Sequence, residues 1–241
     1  KRRTNKNRGI PHIRYPIPLI PQTHPRRQRM SNFKLVERDF RVFREVNRWR
    51  VTLSRHLKTL AGFSSQRTCD RRLKTLIEAG FLRRQKYIYG VPYLYFLTRT
   101  AQVLIHASTH EPKIRIEQIV HDIAVLDTAI FVHNEKNILF TDMQTEKELH
   151  GLDGFSNRRH RPDFVYEQGG KSVCVEVELS LKARTRLEKN IQSNFSNYDK
   201  QLWIVPDMHS KISAILEEQS HIYPDIQIIE LSEVKKHAGN H

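Results

Sequence analysis

Apolar and polar positions along the chain change their period several times. Residues 36–47 and 52–60 repeat apolar side chains at helical spacing and predict two short amphipathic helices. A third is predicted over 64–80, with Ser64 or Ser65 as N-cap and Gly80 as C-cap. In it Cys69, Leu73, Leu76 and Ile77 form one stripe, leaving Gln66, Arg67, Asp70, Arg71 and Lys74 outside. Phe81 and Leu82 then lead into RRQKYIYGVPYLYFLT, a basic hairpin turning near Gly90. Its tyrosines at 87, 89, 93 and 95 alternate, which predicts one face packed on the helices rather than a stacking platform for unpaired bases. Three helices followed by such a hairpin predict a winged helix-turn-helix.

Beyond residue 113 the pattern becomes a helix over 114–134, a strand at 138–143, two strands within 161–180 and a helix over 181–199. A strand at 201–207, a helix over 209–219 and a strand at 226–231 complete it. Leu187, Ile191 and Phe195 are the expected buried stripe of the 181–199 helix. Helices and strands in this order predict a mixed sheet flanked by helices. In RPDFVYEQGGKSVCVEVELS, Gly169-Gly170 joins two short strands, and Val173, Val175, Val177 and Leu179 alternate with Cys174, Glu176 and Glu178. A two-residue period sends both glutamates to one face.

With 241 residues, 38% of them hydrophobic, the chain can build two cores. The expected division is an extended basic arm at 1–33, a winged helix at 34–112 and a second domain at 113–241. The arm holds five of the ten prolines, which fix φ and remove donors, so neither helix nor packed sheet is expected there. No apolar run reaches the roughly 18 residues of a membrane span, and the first residues are basic rather than an apolar leader, so a soluble protein is expected. Cys69 and Cys174 fall in different predicted domains, which argues against a disulfide framework and for a reducing compartment.

Charge sharpens the division. Residues 1–35 carry ten Lys/Arg and no acid, 36–110 carry fifteen against five, and 111–241 carry sixteen against twenty-one. A front of +20 before a back of −5 points to a polyanion partner, with nucleic acid the usual one, and argues against a protein that coats DNA with its entire surface. Arg67, Arg71 and Lys74 on the third helix are the expected major-groove contacts, with Arg83, Arg84 and Lys86 in the wing on the flanking backbone. Arg158, Arg159 and Arg161 in RRHR directly precede Asp163 and are expected to contact phosphates.

Two or three acidic oxygens at strand ends suit a hard divalent ion such as Mg²⁺ or Mn²⁺, which polarises a phosphodiester and generates hydroxide from water. A surface hairpin with two solvent-facing glutamates has the same spacing. His121 lies four residues after Glu117 on one helix face and is a further candidate, to complete the metal site or position a water. His106 and His110 are also four apart but have no Cys or carboxylate cluster in register, so no zinc site is expected.

Pro162-Asp163, twelve intervening residues, then Glu176-Val177-Glu178 resembles the PD-(D/E)xK motif of the restriction-endonuclease-like fold, in the version that ends on Glu. The resemblance implies Asp163 and Glu176 as metal ligands and catalytic residues. Glu178 is then a second ligand or general base, or the cationic role passes to Lys182 or Lys189. A basic winged helix, a helix containing HDIAVLD, PDFVY and CVEVELS, a helix reading RLEKNIQSNFSNY, and QLWIVPD together resemble the MOBC-class plasmid relaxases, the replication-relaxation family, over about residues 36–230. That resemblance implies metal-dependent nicking of one strand at a plasmid transfer origin without a covalent tyrosyl intermediate, in the bacterial cytoplasm. The partners implied are plasmid DNA, accessory mobilisation proteins and a coupling ATPase. The chain has no His-x-His pair, so the metal site of the tyrosine relaxases is missing. The family's Lys and Tyr on the next helix are matched by Lys189 and, less securely, by Tyr198, which shares a stripe with Phe195 and Ile191 and is expected in the core.

Overall fold

The computed structural model describes residues 33–109, 114–153, 160–181 and 183–237. Lys34–His241 forms one compact unit. The expected extended arm at 1–33 lies outside the described residues except for Phe33.

The first three helices form as their periodicity predicts, at α1 (Glu37–Arg48), α2 (Ser54–Leu60) and α3 (Gln66–Glu78). Ser65 caps α3 through its hydroxyl, which accepts from Thr68 N–H at 3.2 Å. Cys69, Leu73 and Leu76 are buried beneath it. Asp39, fully buried on α1, accepts from Val36 N–H at 2.8 Å and from Arg72 Nε at 2.8 Å, so one carboxylate caps α1 and fastens it to α3. The hairpin β1 (Leu82–Gln85) and β2 (Leu94–Leu97) pairs antiparallel, followed by the short α4 (Arg99–Leu104).

The long helix starts later than its apolar pattern suggests: a 3-10 turn at Ile116–Gln118 precedes α5 (Ile119–Lys136). Ala124 to Val132 are all buried, because α5 packs against α2 on one side and the central sheet on another. A helix enclosed in this way is apolar around its circumference and shows little amphipathic period.

The sheet has five strands in the order β3 (Met143–Thr145), β4 (Phe164–Gln168), β5 (Lys171–Val177), β6 (Lys200–Val205), β7 (Ile226–Glu230). The first three pair antiparallel and the last two join in parallel, making the mixed sheet expected. α7 (Arg184–Asn197) and α8 (Lys211–Ser220) bury Leu187, Ile191, Ile212, Ile215 and Leu216 with Trp203 and Val205 of β6.

Three expectations need correction. The strand placed at 138–143 is a 3-10 turn at Phe140–Asp142 followed by only three residues of β3, and an unpredicted helix, α6 (Glu146–Asp153), follows directly. Glu148 causes the switch: its Oε2 accepts from Thr145 N–H and Thr145 Oγ1, both at 2.8 Å, a capping arrangement that turns the strand into a helix. Phe195 is not in the core but 46% exposed, and Asn194 takes the inward position. A last helix, α9 (Leu231–His237), packs on α5 where the sequence reading ended in a strand.

Candidate functional site

Hairpin arithmetic brings the acidic residues together. Gly169 and Gly170 have φ of 60° and 73°, a two-residue turn only glycine adopts without strain, and it sets the register Gln168↔Lys171 through Phe164↔Val175. One step further, Asp163 stands opposite Glu176. Asp163 N–H donates to Val175 O at 3.1 Å, and Val177 N–H donates to Asp163 Oδ2 at 2.8 Å. The carboxylate is therefore held by the backbone of the opposite strand.

Two histidines stand over this pair. His160 Nε2 lies 2.5 Å from Glu176 Oε1, and Asn194 Nδ2 on α7 donates to the same oxygen at 2.9 Å. His121, near the start of α5, has Nε2 at 3.5 Å from Asp163 Oδ2 and Nδ1 at 3.4 Å from Asp122 Oδ1. Asp122 also meets Arg50 at 3.3 Å, and Arg50 meets Glu146 at 2.9 Å.

The electrostatics follow from burial. Glu176 is 8% exposed, and desolvation raises its pKa; the His160 hydrogen bond pulls the other way and the Asp163 charge adds to the rise. Burial alone would lower the pKa of His160, yet its bond to Glu176 carries it above the ordinary value. For His121 burial is again the opposing influence. The hydrogen bonds to Asp122 and Asp163 outweigh it and raise the ring to about 10, so it is an imidazolium at neutral pH.

His121 was expected to work with Glu117; its partners are instead Asp122 and Asp163, and Glu117 is exposed on the 3-10 turn. Glu178 lies just past β5, half-buried, with its N–H donating to Ile204 O at 3.0 Å. Lys189 is exposed on α7, and the side chain of that helix that reaches the carboxylates is Asn194. Tyr198 is half-buried as the C-cap of α7. Arg161 is 8% exposed, whereas Arg158, Arg159 and Lys182 lie outside the described residues.

His160 and Asn194 were not singled out from the sequence. The signal for Asn194 was a polar residue seven positions after the buried Leu187, on the inner face of α7. His160 sat inside RRHR, where its charged neighbours drew the attention.

Among the described residues no group of three or more His, Cys, Asp or Glu side chains is arranged to hold an ion. Two carboxylates are adjacent, however, and their hydrogen bonds fall on Glu176 Oε1 and Asp163 Oδ2. The other oxygen of each has no hydrogen-bond partner among the described residues. Mg²⁺ commonly takes one or two protein carboxylates and completes its shell with water and substrate phosphate, so the donor set fits such an ion.

The basic surface lies on α3 and the hairpin. Arg67, Arg71 and Lys74 are exposed on the outer face of α3, and Lys74 meets Glu78 at 3.8 Å. Arg83 lies 4.7 Å over the Phe96 ring, Arg84 4.5 Å over Tyr93, and Lys86 5.7 Å from the centre of Tyr89. His106 is exposed just after α4 with φ of 54°, and His110 lies outside the described residues. Among the described residues no helix is long and apolar enough to cross a membrane. No protein-family model matches the chain, and no curated protein matches it in sequence.

Proposed function

We propose that the protein is a metal-dependent, sequence-specific endonuclease that nicks one DNA strand at a plasmid transfer origin. The observation that carries this reading is Asp163 opposite Glu176, with one oxygen of each left without a hydrogen-bond partner among the described residues. Mg²⁺ or Mn²⁺ would be held by Asp163 and Glu176, with Glu178, just past β5, as the further carboxylate. Bound there, the ion supplies polarisation of a phosphodiester and a water acidic enough to attack it.

The chain's own side chains do the rest. Asn194 and His160 both bind Oε1 of Glu176, which leaves its second oxygen for the ion. His121, held protonated between Asp122 and Asp163, orients the Asp163 carboxylate and offsets its charge rather than acting as a general base. The order of α1, α2, α3 and the basic β1–β2 hairpin supports a winged-helix DNA reader, and α5-β3-β4-β5-α7-β6 supports a restriction-endonuclease-like core.

Supercoiled plasmid carrying the origin, incubated with Mn²⁺, should give open circles. Asp163→Ala and Glu176→Ala should abolish nicking while duplex binding persists. If both variants nick as well as the parent, the site is elsewhere; if the product is linear, the enzyme cuts both strands. One observation favours a second reading, a non-enzymatic plasmid DNA-binding regulator with an inactive nuclease-like domain: each carboxylate is already offset by a histidine. A calorimetric Mn²⁺ titration separates the two, because the regulator has no stoichiometric binding that disappears in Glu176→Ala.

A further inference from the structure

The four tyrosines of the wing do not share one face. Tyr95 is buried, and Tyr87 packs edge-on to Phe96 at 6.1 Å with its hydroxyl on Gln85 Oε1 at 3.1 Å. Tyr87, Ile88 and Val91 fold back onto a core of Val51, Leu53, Leu94, Phe96 and Ile119. Tyr89 and Tyr93 point the other way, 97% and 45% exposed. The expectation that the hairpin packs its tyrosines against the helices thus holds for two of them and fails for two.

Nothing in the folded unit needs a tyrosine at 97% exposure. Its loop is nevertheless well anchored, since three apolar side chains tie it down on either side of the Gly90 turn, where φ is 80°. A ring presented on a fixed loop loses little conformational freedom on binding, which makes it a good contact surface. Both outward rings carry a cation, Arg84 over Tyr93 and Lys86 beside Tyr89. Aromatic faces interleaved with positive charge suit a single nucleic-acid strand, whose bases stack on the rings while its phosphates meet the cations. Duplex DNA offers no free base faces to such rings.

Position gives the same partner. The cluster that anchors the wing loop includes Ile119 and Ile123, which flank His121 on the first turns of α5. The stacking surface is therefore built onto the element that places His121 beside Asp163.

We propose that Tyr89 and Tyr93, with Lys86 and Arg84, form a platform that stacks unpaired bases of a single DNA strand. This rests on the reading of the protein as a DNA nickase, and assigns the wing tip to the strand next to the cut. Its test does not depend on cutting.

Anisotropy of a labelled single-stranded oligonucleotide and of its duplex is measured in EDTA on the Asp163→Ala background, at fixed salt. Adding Tyr89→Ala and Tyr93→Ala should weaken single-strand binding about 5- to 150-fold per ring. Duplex binding should change less than about 2-fold, and Tyr89→Phe with Tyr93→Phe should restore the parent's single-strand affinity. An oligonucleotide with 2-aminopurine in place of one base should lose its fluorescence on binding to the parent and keep it with the double Ala variant. Equal loss on both DNAs, no loss on the single strand, or no single-strand binding by the parent overturns the platform. Nicking by Asp163→Ala, tested separately, overturns the site without touching the wing.

Discussion

At the scale of single residues, the candidate site is two facing carboxylates, Glu176 buried and Asp163 half-buried. Glu176 is buried with a neighbouring Asp163 charge, and His160 and Asn194 make that burial tolerable. Removing a partner of a buried polar group leaves its desolvation cost uncompensated, roughly 1–3 kcal/mol. Asn194→Leu should therefore lower unfolding free energy by about that amount in urea denaturation, and an unchanged midpoint would show that the bond contributes nothing. His121 offers a pH test. Its folded pKa, about 10, lies above the unfolded value of about 6.5, so its contribution is complete below about pH 6.5 and is lost as pH rises towards 10. In metal-free buffer the parent should lose more stability than His121→Gln between pH 7 and pH 10. Equal losses would mean the ring is neutral at pH 7.

Among elements, α2 and α5 are tied together by a buried carboxylate and its partners. Asp127, 1% exposed on α5, meets Arg55 Nη2 at 3.0 Å and the fully buried His56 Nε2 at 3.0 Å. Burial pushes the His56 pKa down despite that bond, so the ring is neutral, and Arg55 is the cation that balances the aspartate. Breaking such a pair by removing one member costs about 3–5 kcal/mol. Asp127→Ala should destabilise the protein by that much in thermal or urea unfolding; a loss below about 1 kcal/mol would mean water replaces the carboxylate. The hairpin depends on backbone instead. Gly170→Ala, at φ of 73°, should cost about 1–2 kcal/mol. It should weaken Mn²⁺ binding too, because the turn sets the register that opposes Asp163 and Glu176.

For the molecule as a unit, the N-terminal helices and the sheet are one body. Arg48 donates to Phe140 O at 2.6 Å, to Met143 O and to Glu148 at 2.9 Å, while Trp49 packs edge-on to Phe164 at 6.1 Å, the residue after Asp163. Cooperative unfolding follows. Trp49 follows α1 and Trp203 lies on β6, so Trp49→Phe and Trp203→Phe should show one shared transition midpoint each by fluorescence and by circular dichroism. Separate midpoints within either variant would reveal two independent domains. The +20 front predicts a steep salt response: at roughly six to ten phosphate contacts, raising salt from about 50 to 200 mM should weaken duplex binding about 10³- to 10⁵-fold. A flat response would remove the basic front from DNA recognition.

Local pattern alone decided α1 to α3, the hairpins and the Asp163–Glu176 opposition. Caps, strand alternation and a two-glycine turn act over a few residues and are written in neighbouring positions. Tertiary structure alone decided which polar groups are buried. Asn194 and Asp127 look like surface residues in sequence, and only packing from distant elements removes them from water and makes each pairing necessary. It also split the wing tyrosines two and two, because the turn back at Ile88 and Val91 depends on a core supplied by α5, some thirty residues away.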